Sequence, residues 1–421
     1  MLVLISIFIV TYILIIAEHY IKVNKSAVTL ISAGLCWTVL AFNPSWIISG
    51  KPVEEALLEN MPDTFGILLF LLGALTIVEI IDLHHGFDIV VRLIKTKKVI
   101  MFMIIISALT FFLSSILDNI TTAVVMISIT RKVIRKQEIR LYIAGIIIIA
   151  ANSGGVFSPI GDVTTTMLWM ANRISTFNII TTLFLPALVS YLVPLVCVIF
   201  MMKRKKFDTY SLNNQILEVI PGSQIIFFCG LSIMILIPVF KTVTGLPPYL
   251  GMMFGMGILW LVAELIHLKS SDEHEKFSAA DALSRLDTPS ILFFFGILVT
   301  VAALDQARIL EILAERLNQL VGNLDIVALG LGLSSAVIDN VPLIAGTISM
   351  YDLDKYPTDN RLWELLAYSC GIGGSILVIG SAAGVAVMGI EKINFVWYLK
   401  RFSLPALLGY GAGAGIFFLL N

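Results

Sequence analysis

The sequence predicts an all-α polytopic membrane protein made of two inverted repeats, each with a re-entrant helical hairpin and a broken transmembrane helix. Three observations predict it. Apolar residues make up 58% of the 421 and charged residues only 14%, where a soluble domain carries about 25% charged residues. Uncharged runs long enough to cross a bilayer recur, for example Ala27–Gly50, Ile174–Met202 and Leu365–Ile390. An Asp-Asn pair occurs twice in matching apolar surroundings, as Ser114-Ser115-Ile116-Leu117-Asp118-Asn119 and as Ser335-Ala336-Val337-Ile338-Asp339-Asn340. A carboxylate in the bilayer costs roughly 2.5–3.5 kcal/mol on insertion scales, so each pair marks a functional site by default.

Composition excludes several classes. Mean hydropathy is +0.95, and the formal net charge of −1 offers nothing to nucleic acid. Cys36, Cys197, Cys229 and Cys370 are scattered through apolar segments, with the spacing of neither a disulfide framework nor a zinc site. Residues 1–20 lack a basic leader and a small-residue cleavage site, so they read as a first transmembrane helix rather than a removable signal.

Taken in order, full spans fall near 1–19, 26–49, 64–81, 141–171, 177–202, 223–240, 249–268, 289–304, 362–390 and 402–420. Two further segments do not read as simple spans. Val99–Thr130 holds a single charge, Asp118, and as one helix would be about 48 Å long, well beyond the ~30 Å hydrocarbon core. Both flanks are basic: Arg92, Lys95, Lys97 and Lys98 before it, then Arg131, Lys132, Arg135, Lys136 and Arg140 after it. Positive charge marks the cytoplasmic side, so the segment enters and leaves by one face as a hairpin, with Asp118-Asn119 near its turn. The second copy, Ile326–Met350, carries Asp339-Asn340 and then Pro342 near its turn. Its flanks hold Arg308, Arg316, Lys355 and Arg361 among more numerous acids, so it opens to the outside, as an inverted repeat requires. Lys203-Arg204-Lys205-Lys206 then falls inside, the loop with Glu54, Glu55 and Glu59 outside, and ten spans leave both termini outside.

Three landmarks recur in the same order. Gly73 precedes Asp82 as Gly296 precedes Asp305; the Asp-Asn pair follows; then Gly154-Gly155 to Gly161 parallels Gly373-Gly374 to Gly380. The offsets between copies are 223, 221 and 219 residues, so about two residues of loop are lost at each step. The divisions expected are a first helix at 1–25, repeat 1 at 26–206, a polar connector at 207–222, and repeat 2 with its leading helix at 223–421. Lys269–Asp287 reads as a charged cytoplasmic loop. Leu83–Lys98 and Gln306–Gly322, which lead into the hairpins, read equally as amphipathic surface helices or as connectors.

Chemistry concentrates in the stretch from Asn152 to Thr166. Glycines and Pro159 break the helical ladder in mid-span, which is tolerated where backbone lines a cavity or is buried in protein. The broken ends offer carbonyl dipoles, and neighbouring side chains add amide, hydroxyl and carboxylate oxygens, a suitable shell for a small hard cation. Candidate ligands are Asp118, Asn119, Asn152, Asp162, Thr164 and Thr165, joined by Asp339 and Asn340 from the other repeat. Ser381 stands where the first copy has Asp162, which makes the second break neutral and places a cation nearer the first. Ser375 and Ser381 read as ligands or as small-residue packing. Buried acids that bind either H⁺ or Na⁺, but not both, give the minimal antiport scheme. Glu79, His84 and His85 read as interfacial groups.

From Ser114 to Thr121 the chain reads Ser-x-x-x-Asp-Asn-x-Thr, and from Asn152 to Thr165 Asn-Ser-Gly-Gly-x-Phe-Ser-Pro-Ile-Gly-Asp-Val-Thr-Thr. With these motifs it resembles the NhaD-type sodium/proton antiporters of the ion transporter superfamily, over nearly its whole length. The resemblance implies a non-enzymatic secondary transporter exchanging Na⁺ or Li⁺ for H⁺, with no cofactor, acting in pH homeostasis. It also implies a homodimer in the lipid bilayer, expected in a bacterial inner (cell) membrane. Relatives of the dicarboxylate branch carry Ser-Asn-Thr at their hairpin tips; here the tips are Asp-Asn-Ile-Thr and Asp-Asn-Val-Pro, and an acid in place of a neutral group favours a cation. The competing reading is an anion carrier of the same superfamily, for dicarboxylate or arsenite, which calls for positive charge or exposed hairpin dipoles at the site. An intramembrane aspartyl protease would need Gly-x-Gly-Asp, and Pro159-Ile160-Gly161-Asp162 lacks the first glycine.

Overall fold

The computed structural model describes residues 1–47, 50–94, 96, 98–204, 222–267 and 279–421. Most of the expected connector at 207–222, part of the loop from Lys269, and the basic residues Lys95, Lys97, Lys205 and Lys206 lie outside the described residues. Those described form helices and no strand.

In chain order the principal helices are α1 (Leu2–Ile16), α2 (Lys25–Phe42), α3 (Val53–Leu83), α4 (Val99–Ser114), α5 (Asn119–Val133), α6 (Gln137–Gly155), α7 (Val163–Met170), α8 (Thr176–Arg204), α9 (Ser223–Thr244), α10 (Pro248–His267), α11 (Thr288–Gln306), α12 (Ile309–Val321), α13 (Leu324–Ser334), α14 (Asn340–Met350), α15 (Arg361–Gly373), α16 (Ala382–Glu391) and α17 (Leu404–Leu420). Seven of the described helical stretches are long and apolar enough to cross a bilayer by themselves. Of the other predicted spans, 1–19 is represented by the shorter α1, while 141–171 and 362–390 are each two half-helices with a non-helical break between them. The protein is an integral membrane protein.

One boundary departs from the sequence reading. Glu54, Glu55 and Glu59 belong to the first turns of α3 rather than to a loop. Pro52 sets the helix start, acids near an N-terminus are favoured by the helix dipole, and Lys51 pairs with Glu55 at 4.0 Å and also with Glu59. Of the two segments leading into the hairpins, the second contains the full helix α12, whereas the described residues of the first contain the short helix Asp88–Leu93.

Four helices begin inside the apolar region, and each begins on a side-chain cap. Asp118 accepts the Thr121 N–H at 2.9 Å, Asp339 that of Val341 at 3.3 Å, Asp162 that of Thr164 at 3.4 Å, and Ser381 that of Gly384 at 3.0 Å. Helix starts leave backbone donors without partners, water is scarce in the bilayer, and an Asp or Ser cap is the local remedy. Hairpin turns fall at Ser115–Asp118 and Ser335–Asp339, where the two Asp-Asn pairs predicted them.

The packing is reciprocal between the two halves. α2 lies against α11 and α3 against α10; α4 packs on α6 and α13 on α15; α5 packs on α16 and α14 on α7; α8 runs along α17. Small residues at matching positions permit the closest approaches. A Cβ at Gly154 would collide with the Phe111 carbonyl, and one at Gly373 with the Gly332 carbonyl. Matching serines tie the same contacts: the Ser114 hydroxyl donates to the Ala151 carbonyl at 2.6 Å and the Ser335 hydroxyl to that of Cys370 at 2.7 Å. The helix pairs form two bodies. One holds α1–α3 and α9–α11, the other the hairpins, the broken helices, α8 and α17. They meet mainly where α11 touches α14 and α3 touches α7.

At one end of the molecule Glu391, the last residue of α16, is held by Arg140 at 3.0 Å and Arg131 at 3.5 Å, both flanking the first hairpin. The loop after α7 is held by residues flanking the second hairpin. The Asp359 N–H donates to the Arg173 carbonyl at 2.9 Å, and the Arg173 guanidinium donates to the Ile348 carbonyl at 3.0 Å.

Candidate ion site at the crossing of the two broken helices

The breaks at 156–162 and 374–381 face each other, and both hairpin tips reach them. Asn152, in the last turns of α6, is the hub. Its Oδ1 accepts the Asn119 amide from the first hairpin tip at 3.1 Å, and its own amide donates to Ser375 Oγ and Ser381 Oγ, both at 2.9 Å. Three chain segments are joined through one fully buried side chain. Asp162 is the second centre. Its carboxylate caps α7, and its Oδ2 accepts the Asn340 amide from the second hairpin tip at 3.3 Å. Asp162 is 2% exposed, and Asp118 and Asp339 lie within electrostatic range of it.

Of the eight residues singled out in the sequence, the structure pairs Asn119 with Asn152 within the first half and Asp162 with Asn340 across the two halves, with Thr164 fully buried beside Asp162. Thr165 is turned to the backbone: its hydroxyl donates to the Asp162 carbonyl at 2.9 Å. Asp118 is engaged within its own turn by the Thr121 hydroxyl at 2.5 Å. Asp339 is engaged elsewhere, 3.2 Å from the ammonium of Lys25 at the start of α2. The Ser153 hydroxyl is buried and makes no hydrogen bond among the described residues, which leaves an unsatisfied oxygen in the last turn before the first break.

The donor set is oxygen-rich and holds one central carboxylate. No group of three or more His, Cys, Asp and Glu that could hold a metal occurs among the described residues. Amide, hydroxyl and carbonyl oxygens around a single acid suit a hard monovalent cation and not a thiophilic metal. The C-terminal ends of α6 and α15 add carbonyl dipoles of the sign that attracts a cation.

A family model described as "Citrate transporter", CitMHS, matches residues 12–363. The chain belongs to that family. Among its relatives, "Sodium/proton antiporter 1" of Arabidopsis thaliana is 44% identical over 402 residues, covering 95% of this chain and 69% of that protein. "Sodium/proton antiporter 2" of the same plant is 40% identical, covering 96% of this chain and 95% of its own length. "Na(+)/H(+) antiporter NhaD" of Vibrio cholerae is 31% identical, covering 99% and 91%. The resemblance to NhaD-type antiporters read from the motifs is borne out over nearly the whole chain.

Sequence reasoning missed two relationships. Ser375 and Ser381 stand as partners of Asn152, and Lys25 stands as partner of Asp339. The glycine-flanked placement of Ser375 and Ser381, matching the first break, was the available signal for the former. Lys25 carried only the signal of a basic residue at the start of an apolar span.

Proposed function

We propose that this protein is a secondary transporter that exchanges Na⁺ or Li⁺ for H⁺, with Asp162 as the shared binding group. The observation that carries the reading is the position of Asp162. It lies in a helix break, 2% exposed, with Asn340 of the other half on its carboxylate. A single acid there binds a proton or a cation but not both, and that competition couples the two fluxes. Asn119, Asn152, Thr164 and the carbonyls ending α6 complete the shell, and Asp118 adds to the negative field around it.

The reciprocal helix pairs support two inverted repeats, with the basic flanks of the first hairpin at the cytoplasmic end. The reciprocity is incomplete: for example, α11 packs on α14, while the counterpart pair α3 and α5 makes no comparable contact. A cavity of about 780 Å³ reaches the second break, with Ser381 in its wall. Alternating access then consists of closing this cavity and opening the opposite side. The names of the relatives favour Na⁺ and H⁺ as the exchanged ions, in a membrane that carries a proton gradient, such as a bacterial inner membrane, and the family resemblance favours a homodimer. The charged cavity residues also favour a cation, since Glu18, Asp287 and Asp339 outnumber Lys22 and Lys25.

The deciding experiment is proton flux in proteoliposomes on adding Na⁺, Li⁺, K⁺ or citrate, for the wild type and Asp162→Asn. Proton movement driven by Na⁺ or Li⁺ and lost in the variant supports the reading. Citrate uptake with no cation response overturns it.

A further inference from the structure

The cavity that reaches Ser381 has a charged gatepost. Lys25 begins α2, and its ammonium lies 3.2 Å from Asp339 Oδ2 and 4.2 Å from the centre of the Phe293 ring on α11. Its backbone is fixed as well: the Lys25 N–H donates to Glu18 at 3.1 Å, Asn24 caps α2 through Ser26 at 2.8 Å, and the Ser26 hydroxyl donates to the Pro289 carbonyl at 2.5 Å. Every one of these partners except Asp339 belongs to the body of α1, α2 and α11. Asp339 belongs to the hairpin of the other body. The pair therefore spans the seam between the bodies, and both of its residues line the cavity. The side chains are only 23% and 12% exposed. In such a site losing one partner leaves a costly unpaired charge, whereas losing both does not.

We propose that Lys25 is the resident counter-ion of Asp339. It latches the second hairpin tip to α2 at the inner edge of the cavity, and its ammonium keeps a transported cation off Asp339, directing the ion to Asp162. This last clause rests on the antiport reading; the latch itself does not.

Two measurements test it on the full-length protein in vesicles. The first is the rate at which a membrane-impermeant methanethiosulfonate reagent modifies Ala382→Cys, a cavity-lining position beside Ser381, above the background of the four native cysteines. Lys25→Met is expected to raise the rate about threefold or more by freeing the tip, and Lys25→Arg to keep it low. The charge-free pair Lys25→Met with Asp339→Asn, which leaves no buried charge unpaired, is expected to label as fast as Lys25→Met. Equal rates in all four backgrounds overturn the latch. The second is the Na⁺ dependence of proton flux. Asp339→Asn leaves the ammonium unpaired in the cavity and is expected to raise the apparent KM about tenfold, and adding Lys25→Met to bring it back near the wild type. A double variant as impaired as Asp339→Asn would make Asp339 itself an ion ligand and overturn the exclusion. If the wild type moves no protons in response to Na⁺ or Li⁺, the antiport reading fails, and the labelling rates still decide the latch.

Discussion

Asn340 donates its side-chain amide to the carboxylate of Asp162 at 3.3 Å, across 178 residues of sequence. The contact joins the tip of the second hairpin to the first break, so the geometry around the central acid depends on both halves at once. A hydrogen bond to a charged group contributes about 1.5–3 kcal/mol, or roughly 10- to 100-fold in affinity. Asn340→Ala is therefore expected to raise the apparent KM for Na⁺ by about tenfold or more while the protein remains folded. Flux measured against Na⁺ concentration checks this, and an unchanged KM would remove Asn340 from the site.

Asn152 holds three partners with one amide group, so its effects should not be additive with theirs. Asn152→Ala removes the acceptor of Asn119 and the donor to Ser375 and Ser381 together. Once Asn152 is gone, Ser381→Ala has less left to lose. A double-mutant cycle in thermal stability, with purified protein in detergent, is expected to give a coupling of about 0.5–3 kcal/mol. Additivity within error would show that the two side chains do not act on one another.

Both hairpin turns and both breaks were legible in the sequence because their causes are local. Asp118, Asp339, Asp162 and Ser381 each cap a helix that begins where water is scarce, and Gly154-Gly155 and Gly373-Gly374 mark where the preceding helices end. The start of α3 was not legible in the same way, since Glu54, Glu55 and Glu59 read as loop residues until Lys51 and the helix dipole account for them. The pairing of Asp339 with Lys25 is set by the approach of segments 314 residues apart. A lysine at the start of one span carries no mark of an acid at the tip of a distant hairpin. The same holds for Asn152, whose three partners are fixed by tertiary packing and not by spacing.

Glu391 offers a stability test away from the site. It is 1% exposed, and its carboxylate receives Arg140 Nε at 3.1 and 3.0 Å, with Arg131 at 3.5 Å. Removing one partner of a buried pair costs about 3–5 kcal/mol because the other is stranded. Glu391→Ala should lower the detergent unfolding midpoint clearly, while Arg131→Ala, the longer and more exposed contact, should lower it little. Equal shifts would mean that the Arg140 bond has no special weight.

The closest approach of the first hairpin to its broken helix rests on Gly154. A Cβ there would meet the carbonyl, carbonyl carbon and Cα of Phe111, all backbone atoms that cannot rotate away. Glycine to alanine in a helix interior ordinarily gains roughly 1 kcal/mol from propensity, so the sign of the effect separates propensity from packing. Gly154→Ala should push α4 off α6, stretch the Ser114–Ala151 hydrogen bond of 2.6 Å, and reduce the yield of folded protein sharply. Gly34→Ala is the control, since its Cβ would meet nothing within 4 Å, and it should leave folding unchanged or slightly improved. Gly373→Ala, facing the Gly332 carbonyl from the other half, should repeat the damage of Gly154→Ala. Monodispersity after detergent extraction and the unfolding midpoint read all three variants, and damage at one glycine but not the other would mean that the two halves do not share this packing requirement.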